Sequence, residues 1–238
     1  MAADDMKGFL ANAPYGANSV NSHRQLKSFL WIAPLEEMAE ALRVDEEDMP
    51  AFSNTLALAA KAFSPRVWFQ EVTIDALGDD FAMLSGEWFE GPRVATVLRD
   101  ARQCWAFVAT AGEKPAHDPS DVLTAWWLQA LGENAVHQAI VAFVASMPCG
   151  EGEHLSTISP GSLPDWPITE QIPLFRLLGA PNAGVHLTES CLMQPRCSVS
   201  GLLFAAPRPF CSCAHCDKLS CPNRRADRIT DDAGTPNA

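Results

Sequence analysis

The most constraining feature of this sequence is a group of four cysteines near its C-terminal end, in the segment CSCAHCDKLSC. Cys211, Cys213, Cys216 and Cys221 follow the spacing C-x-C-x2-C-x4-C. Four thiols within eleven residues cannot all be buried in a core, because too little chain surrounds them to form one. Thiolates at offsets of two and three residues on a loop can instead converge on one centre. The segment therefore predicts a metal site.

The identity of the metal is narrowed by the ligands, since soft sulfur atoms select zinc, copper(I) or iron–sulfur clusters. Zinc ligands usually come in two pairs separated by a longer loop, which this segment lacks. The last cysteine precedes Pro222, and bacterial ferredoxin ligation also ends in Cys-Pro. Arg224 and Arg225 could offset the negative charge of a thiolate-bound cluster, and His215 could replace one ligand. We expect an iron–sulfur cluster, with zinc, redox thiols or metal-free thiols as alternatives.

The composition excludes several classes of protein. Of the 238 residues, 47% are hydrophobic and 19% are charged, which is ordinary for a globular protein. A formal net charge of -12 repels phosphate backbones, so nucleic acid is not an expected partner. The N-terminal ten residues are acidic where a signal peptide is basic, and no stretch approaches the ~20 apolar residues of a membrane span. We expect a cytoplasmic protein without membrane contact, whose 8 cysteines stay reduced.

Hydrophobic periodicity predicts a mixture of helices and strands. Helical spacing, with proline or glycine at the ends, indicates helices at 23–43, 51–63, 92–101, 118–147 and 170–178. Runs of β-branched and aromatic residues indicate strands at 66–74, 81–84, 104–110, 184–188 and 198–204. Asp118 is expected to cap the longest helix. Residues 148–168 are dense in Gly, Ser and Pro and are expected to form a loop.

The predicted fold class is α+β, with a helical N-terminal part followed by a mixed or antiparallel sheet packed with helices. Four parts are expected along the chain. They are a flexible N-terminus (1–22), an α+β domain (23–208), a cysteine-cluster segment (209–227) and a disordered tail (228–238).

A stiff loop precedes the predicted helix at 170–178. Its prolines restrict the backbone, and its glycine allows another group to approach closely. A loop of this kind ahead of a helix N-terminus can hold a small ligand, and a well-ordered connector is the alternative. The candidate binding residues are Ser159, Pro160, Gly161, Ser162, Asp165, Trp166 and Glu170.

Three stretches of the sequence resemble a known family. They are STISPGSLPDWPITEQIPLFRLLG, GVHLTESCLMQPRCSVSGLLF and CAHCDKLSCPNRR. These are similar to the stand-alone relatives of the activation domain of cobalamin-dependent methionine synthase. The shared motifs are a Ser-Pro-Gly loop, a Leu-Thr-x-Ser turn, a Met-x-Pro-x-x-Ser-Val-Ser strand and a terminal C-x2-C-x4-C-x2-R. The resemblance covers roughly residues 35–226; it is specific over 156–225, and before that it concerns only the layout of elements.

The resemblance implies an activation-domain fold and a function in methionine biosynthesis. In that family the domain docks on the cobalamin-binding module once cobalt has been oxidised to cob(II)alamin. An electron arrives from a flavodoxin- or ferredoxin-like donor, and S-adenosylmethionine then methylates the reduced cobalt. The implied partner is a corrinoid-binding methyltransferase or its cobalamin module, and this chain would be its reactivation component. An iron–sulfur cluster would then be a built-in electron relay.

The sequence departs from the family at two positions of the loop. In methionine synthase the loop reads Arg-x-x-Pro-Gly-Tyr, where the arginine helps to hold S-adenosylmethionine and the tyrosine approaches the corrin. Here Thr157 and Ser162 stand at those positions. Threonine cannot make the planar bidentate contact of arginine, although Glu170 could meet the cationic end of the ligand. Contact with the partner's cobalamin is therefore the stronger expectation, and binding of S-adenosylmethionine is the weaker one.

Two other functions are compatible with the same residues. The first is a non-catalytic module, stabilised by zinc or a cluster, that binds a corrinoid or another protein. The second is an independent iron-dependent reductase, which ranks lower because it leaves the Ser-Pro-Gly loop unexplained.

Overall fold

We describe the protein from a computed structural model, in which residues 24–179, 184–220 and 224–229 are described. Its helices are α1 (Leu35–Leu42), α2 (Met49–Ala62), α3 (Pro92–Leu98), α4 (Val122–Ala145) and α5 (Gln171–Leu178). Its longer strands are β1 (Gln25–Ser28), β2 (Arg66–Glu71), β3 (Ile74–Leu77), β4 (Phe81–Leu84), β5 (Glu87–Glu90), β6 (Gln103–Thr110), β7 (His154–Ile158) and β10 (Ser198–Ala206). Two short strands, β8 (His186–Leu187) and β9 (Met193–Gln194), pair with each other.

The fold is built on a five-stranded antiparallel sheet in the order β1–β2–β6–β10–β7. Strand β6 lies in the middle, where Phe107 is opposite Phe69 of β2 and Gly201 of β10. Successive side chains of β6 pack into the hydrophobic cores on opposite faces of the sheet. Phe107 packs on one face and Val108 on the other. Both faces are therefore covered, which explains why the sequence of β6 is apolar throughout.

The first face of the sheet is covered by α2 and α4. Phe143 of α4 packs its ring 4.9 Å from Phe69 and 5.7 Å from Phe107. Trp127 is buried and makes an edge-on contact with a ring of α2, whereas its neighbour Trp126 is 50% exposed. Helix α4 therefore uses one of its two adjacent tryptophans for the core.

The second face is covered by α3, α5 and a three-stranded antiparallel sheet formed by β3, β4 and β5. The indole of Trp68 donates a hydrogen bond to the Leu178 carbonyl at 3.0 Å, which fixes the end of α5 against β2. Trp166, from the loop before α5, is fully buried in the same core. The candidate loop thus contributes a large side chain to the second core.

The structure confirms the α+β class and shows antiparallel pairing throughout the described strands. The predictions for 1–22 and for most of 228–238 fall outside the described residues. The division into domains stays a prediction. Within the described ranges, no helix combines the length and the apolarity that crossing a bilayer requires.

Three predicted elements are wrong. Residues 25–28 form a strand and not a helix, because Gln25–Ser28 pair with β2, a tertiary contact that overrides local helical spacing. Residues 154–158 were predicted as loop but form β7, an edge strand paired with β10. The long helix begins at Val122, since Asp121 accepts the hydrogen bond from the Thr124 N–H, while Asp118 accepts one from Ser120 in the preceding turn.

The contact between β10 and the end of β7 predicts the effect of a side chain at Gly201. A Cβ at that position would lie 2.3 Å from the Ile158 carbonyl oxygen and 2.9 Å from the Ser159 hydroxyl. A backbone oxygen cannot move away without disturbing the β7–β10 pairing. Gly201→Ala should therefore lower the free energy of unfolding by about 3 kcal/mol, or roughly 6–12 °C in Tm by calorimetry.

Gly86→Ala provides the comparison for this measurement. A Cβ at Gly86 has open space around it, and only its φ of +83° is unfavourable. The expected loss is about 1 kcal/mol. Equal losses in the two variants would contradict the close approach of β10 to β7.

Candidate functional site

The Ser-Pro-Gly loop follows β7 and is closed by its own backbone. The Gly161 N–H donates to the Trp166 carbonyl at 2.7 Å. The N–H and the hydroxyl of Ser162 both donate to the Ser159 carbonyl, at 3.1 and 2.6 Å. Gly161 has a φ of +78°, and a Cβ there would lie 2.9 Å from the Ile168 side chain. The loop is therefore a tight turn whose N–H groups at Gly161 and Ser162 are already used, which fits an ordered connector better than an open cradle.

Three other candidate residues attach this loop to the body of the protein. Asp165 accepts a charge-assisted hydrogen bond from Arg93 of α3 at 3.0 Å, with both side chains about 30% exposed. Trp166 is fully buried, and its indole N–H has no hydrogen-bond partner among the described residues. Pro160 is also buried. Packing and the ion pair therefore fix the position of the loop before any ligand binds.

Glu170 is the least available of the predicted ligand contacts. Its side chain is buried, and its carboxylate accepts a hydrogen bond from the Glu90 N–H of β5 at 2.8 Å. It lies in a 3-10 turn, Ile168–Glu170, that leads into α5. The structure thus places this carboxylate in a contact between α5 and the small sheet.

Apolar side chains are exposed beside the loop. Ile168 is 41% exposed and Ile172 is 44% exposed, one turn apart at the start of α5. Ile168 also touches the backbone of Gly161 through the close approach described above. The surface beside the loop therefore includes two exposed apolar side chains next to a tight turn.

The cysteine turn is anchored to the sheet by Phe210. The Phe210 N–H donates to the Ser156 hydroxyl of β7 at 2.9 Å, and its ring packs 6.3 Å from Phe204 of β10. The ring of His215 stacks on Phe210 at 5.3 Å, so this histidine packs against an aromatic ring. The loop and the cysteine turn consequently both adjoin β7.

The described thiols of this turn are Cys211, Cys213 and Cys216, which lie around the 3-10 turn Ser212–His215 and are partly exposed. The guanidinium of Arg224 donates to the carbonyls of Cys213 and Cys216. A hydrogen bond from the backbone of Arg225 lowers the pKa of the Cys213 thiol, and the guanidinium of Arg225 acts in the same direction. Donors of this kind stabilise a thiolate.

These thiols suit a soft metal in their chemistry, since thiolates held by basic groups are the ligands that zinc and iron–sulfur clusters take. Cys221, the fourth predicted ligand, lies outside the described residues. Within the described ranges, no three His, Cys, Asp or Glu side chains are close enough together to hold a metal ion. Metal ligation at this turn therefore stays a prediction.

A cavity that no sequence motif indicates lies where β6 ends and β10 begins. Its volume is about 310 Å³. It opens where the chain leaving β6 meets the β8–β9 hairpin. No motif marks it, because its lining comes from three separate stretches of the chain. The lining residues are Gly112, Glu113, Lys114, His186, Gln194, Pro195, Arg196 and Cys197.

Comparison with known proteins bears on the loop and on the cysteine turn together. Residues 159–217 match the family described as "Vitamin B12 dependent methionine synthase, activation domain". Over these residues the chain is similar to that domain. The matched segment begins at the Ser-Pro-Gly loop and includes Cys211, Cys213 and Cys216, so the resemblance predicted from the sequence is confirmed over these residues.

The relationship is distant in the other comparisons. No curated protein matches the chain. A solved structure described as "Crystal Structure of the MetH Reactivation Domain bound to AdoHcy" aligns with a TM-score of 0.44 and 16% identity, over 80% of this chain and 82% of that chain. A likeness this distant does not carry ligand contacts across to this chain.

The position of Glu170 predicts that it acts in folding. Glu170→Ala removes the buried acceptor of the Glu90 N–H, so the free energy of unfolding should fall by roughly 2 kcal/mol in urea denaturation. Glu189→Ala, at an exposed carboxylate, should change it by less than about 0.5 kcal/mol. Unchanged stability of the Glu170 variant would contradict the structural assignment and return this residue to the ligand candidates.

Proposed function

We propose that this chain is a reactivation partner of a cobalamin-dependent methyltransferase such as methionine synthase. The observation that carries the proposal is the match of residues 159–217 to the activation-domain family. The matched segment contains both candidate features, a rigid loop beside an exposed apolar surface and a cysteine turn. The protein itself would dock on the partner and position the reacting groups, because the cofactors carry out the chemistry.

The proposed docking face consists of the Ser-Pro-Gly loop with Ile168 and Ile172. Both isoleucines are more than two-fifths exposed, and the turn beside them is closed by backbone hydrogen bonds. A preformed apolar surface loses little conformational entropy on binding. It is suited to a corrin ring or to the apolar rim of a cobalamin module. The net charge of -12 favours a partner whose surrounding surface is basic.

The proposed metal centre is the cysteine turn, with an iron–sulfur cluster as the first expectation and zinc as the alternative. Cys211, Cys213, Cys216 and Cys221 would be its ligands. Arg224, which holds two carbonyls of the turn, would fix the shape of the ligand loop. A bound cluster would supply one-electron chemistry, and its donor would be a flavodoxin- or ferredoxin-like protein.

The cysteine turn and the Ser-Pro-Gly loop both adjoin strand β7. Phe210, at the base of the cysteine turn, bonds to Ser156, and the loop begins three residues further along the chain at Ser159. At about 3.3 Å per residue this separation is roughly 10 Å along the strand. A corrinoid docked at the loop would thus lie near the cysteine turn, which supports a function in cobalt reduction.

Use of S-adenosylmethionine by this chain is a separate part of the proposal. Thr157 lies in β7 opposite Leu203 and offers no guanidinium at the position where the family has arginine. The Glu170 carboxylate already accepts a backbone hydrogen bond. Neither residue supports a methyl-donor site at the loop, so docking and electron delivery do not depend on one.

The metal is tested by anaerobic purification followed by visible spectroscopy and by iron, sulfide and zinc analysis of one sample. We expect a brown protein with stoichiometric iron and sulfide that dithionite bleaches. Cys213→Ser and Cys216→Ser should lose most of the iron, because each removes a thiolate ligand. Cys149→Ser, at an exposed cysteine far along the sequence, is the matched control and should keep it. A colourless protein with one zinc would contradict the cluster and favour the binding module.

The docking face is tested by binding to an isolated cobalamin module of methionine synthase. Ile168→Asp and Ile172→Asp place a charge on the apolar face and should weaken binding at least tenfold, about 1.4 kcal/mol. Leu123→Asp, at a 43% exposed leucine of α4, should leave the affinity unchanged. An equal loss in all three variants would indicate nonspecific charge repulsion and contradict this face.

A further inference from the structure

The cavity beside the β8–β9 hairpin has a buried floor and a polar rim. Cys197 is 3% exposed, and Gly112 and Pro195 are also buried. Arg196 and Lys114 reach the rim from different parts of the chain, one just before β10 and the other after β6. A volume of about 310 Å³ is at the lower end of the range for small-molecule sites.

The two cations of the cavity lack the carboxylate partners that several arginines of this chain have. Arg93, Arg176 and Arg208 each pair with a carboxylate. For Lys114 and Arg196, the described part of the chain provides neither an ion pair nor a hydrogen bond. In a chain with 29 acidic and 17 basic residues, two such cations on one cavity are a local reversal of charge.

Both cations line the cavity and act electrostatically on its floor. Burial raises the pKa of the Cys197 thiol, and the charges of Lys114 and Arg196 act on it in the opposite direction. They therefore lie within electrostatic reach of the same sulfur atom. The acidic groups nearby are Glu113 in the lining and Glu133, whose charge also reaches this sulfur.

A third guanidinium lies next to the cavity. The Nη1 atom of Arg66 is 3.4 Å from the position a Cβ would take at Gly112, and its Nη2 atom is 3.1 Å from that at Gly184. Arg66 also donates to the Ser64 carbonyl at 3.2 Å, which orients it. Three basic side chains, Lys114, Arg196 and Arg66, therefore lie at or beside the cavity.

We propose that this cavity binds a small anion of the carboxylate or phosphate class, held between Lys114 and Arg196. Arginine presents a planar pair of N–H donors that matches both groups, and lysine adds a point charge. Such a ligand would pair with two cations for which the described residues provide no ion pair. Arg196 lies inside the segment matched to the activation-domain family and Lys114 lies outside it, so the match does not contain the proposed pair.

The test is isothermal titration calorimetry at constant ionic strength with two probes, inorganic phosphate and succinate. We expect saturable binding of one probe per chain, and the tighter probe identifies which class the cavity takes. Lys114→Gln and Arg196→Gln should each weaken that binding about tenfold, since each removes one charge-assisted contact. Arg208→Gln removes the same charge from an exposed arginine elsewhere and should leave the affinity unchanged.

Two outcomes would overturn the proposal. One is that neither probe binds saturably to the unmodified chain. The other is that Arg208→Gln weakens binding as much as Arg196→Gln, which would indicate a general effect of net charge. The Tm of each variant is measured as a control for misfolding. We expect no change in Tm, because Lys114 and Arg196 make no ion pair or hydrogen bond with the described residues. The titration needs neither a metal nor a corrinoid partner, so its failure would leave the proposed function untouched.

Discussion

The pairing of β6 with β10 in the middle of the sheet is the contact on which the rest of the structure depends. Both strands are buried on their two faces, and eight residue pairs join them from Ser198 and Thr110 to Ala205 and Gln103. Antiparallel pairing fixes register strictly where a face is buried, because a slip of one residue would exchange the two cores. Every candidate feature of the chain is attached to β10 or to a neighbour of it. The functional surface is therefore only as well ordered as this central pair.

The close approach of β7 to β10 at Gly201 fixes the start of the Ser-Pro-Gly loop. Without a side chain at this position, the Ile158 carbonyl and the Ser159 hydroxyl come close to the backbone of β10. The loop then turns back on itself through Gly161 and secures its far end with the buried ring of Trp166. Its fixed shape thus comes from packing beneath it, and an exposed apolar face can be held open to a partner without collapsing onto the core.

Sequence patterns predicted the interior better than the edges. The apolar run of β6 and the proline-bounded helix α2 carry their information locally, and both were predicted within two residues. Strands β1 and β7 lie at the two edges of the sheet, where only tertiary pairing distinguishes Gln25–Ser28 from a helix or His154–Ile158 from a loop. The cysteine spacing predicts a metal site. No sequence motif indicates that Phe210 and Arg224 hold the cysteine turn in place. No sequence pattern predicts the cavity at Arg196, because its lining residues are far apart in the sequence and only the folded sheet brings them together.

Strand β10 also sets the distances between the features. Cys197, at the floor of the cavity, immediately precedes its first residue, and Ala206 is its last. At about 3.3 Å per residue these ends are roughly 30 Å apart, with the contact to Ser159 about 13 Å from Cys197. The cysteine turn follows the far end. An anion in the cavity and a group held by the cysteines therefore cannot touch, and any influence of one on the other must pass through the rigid sheet. The contact to the Ser-Pro-Gly loop lies between the two ends of β10, so the loop is nearer to each end than the ends are to each other.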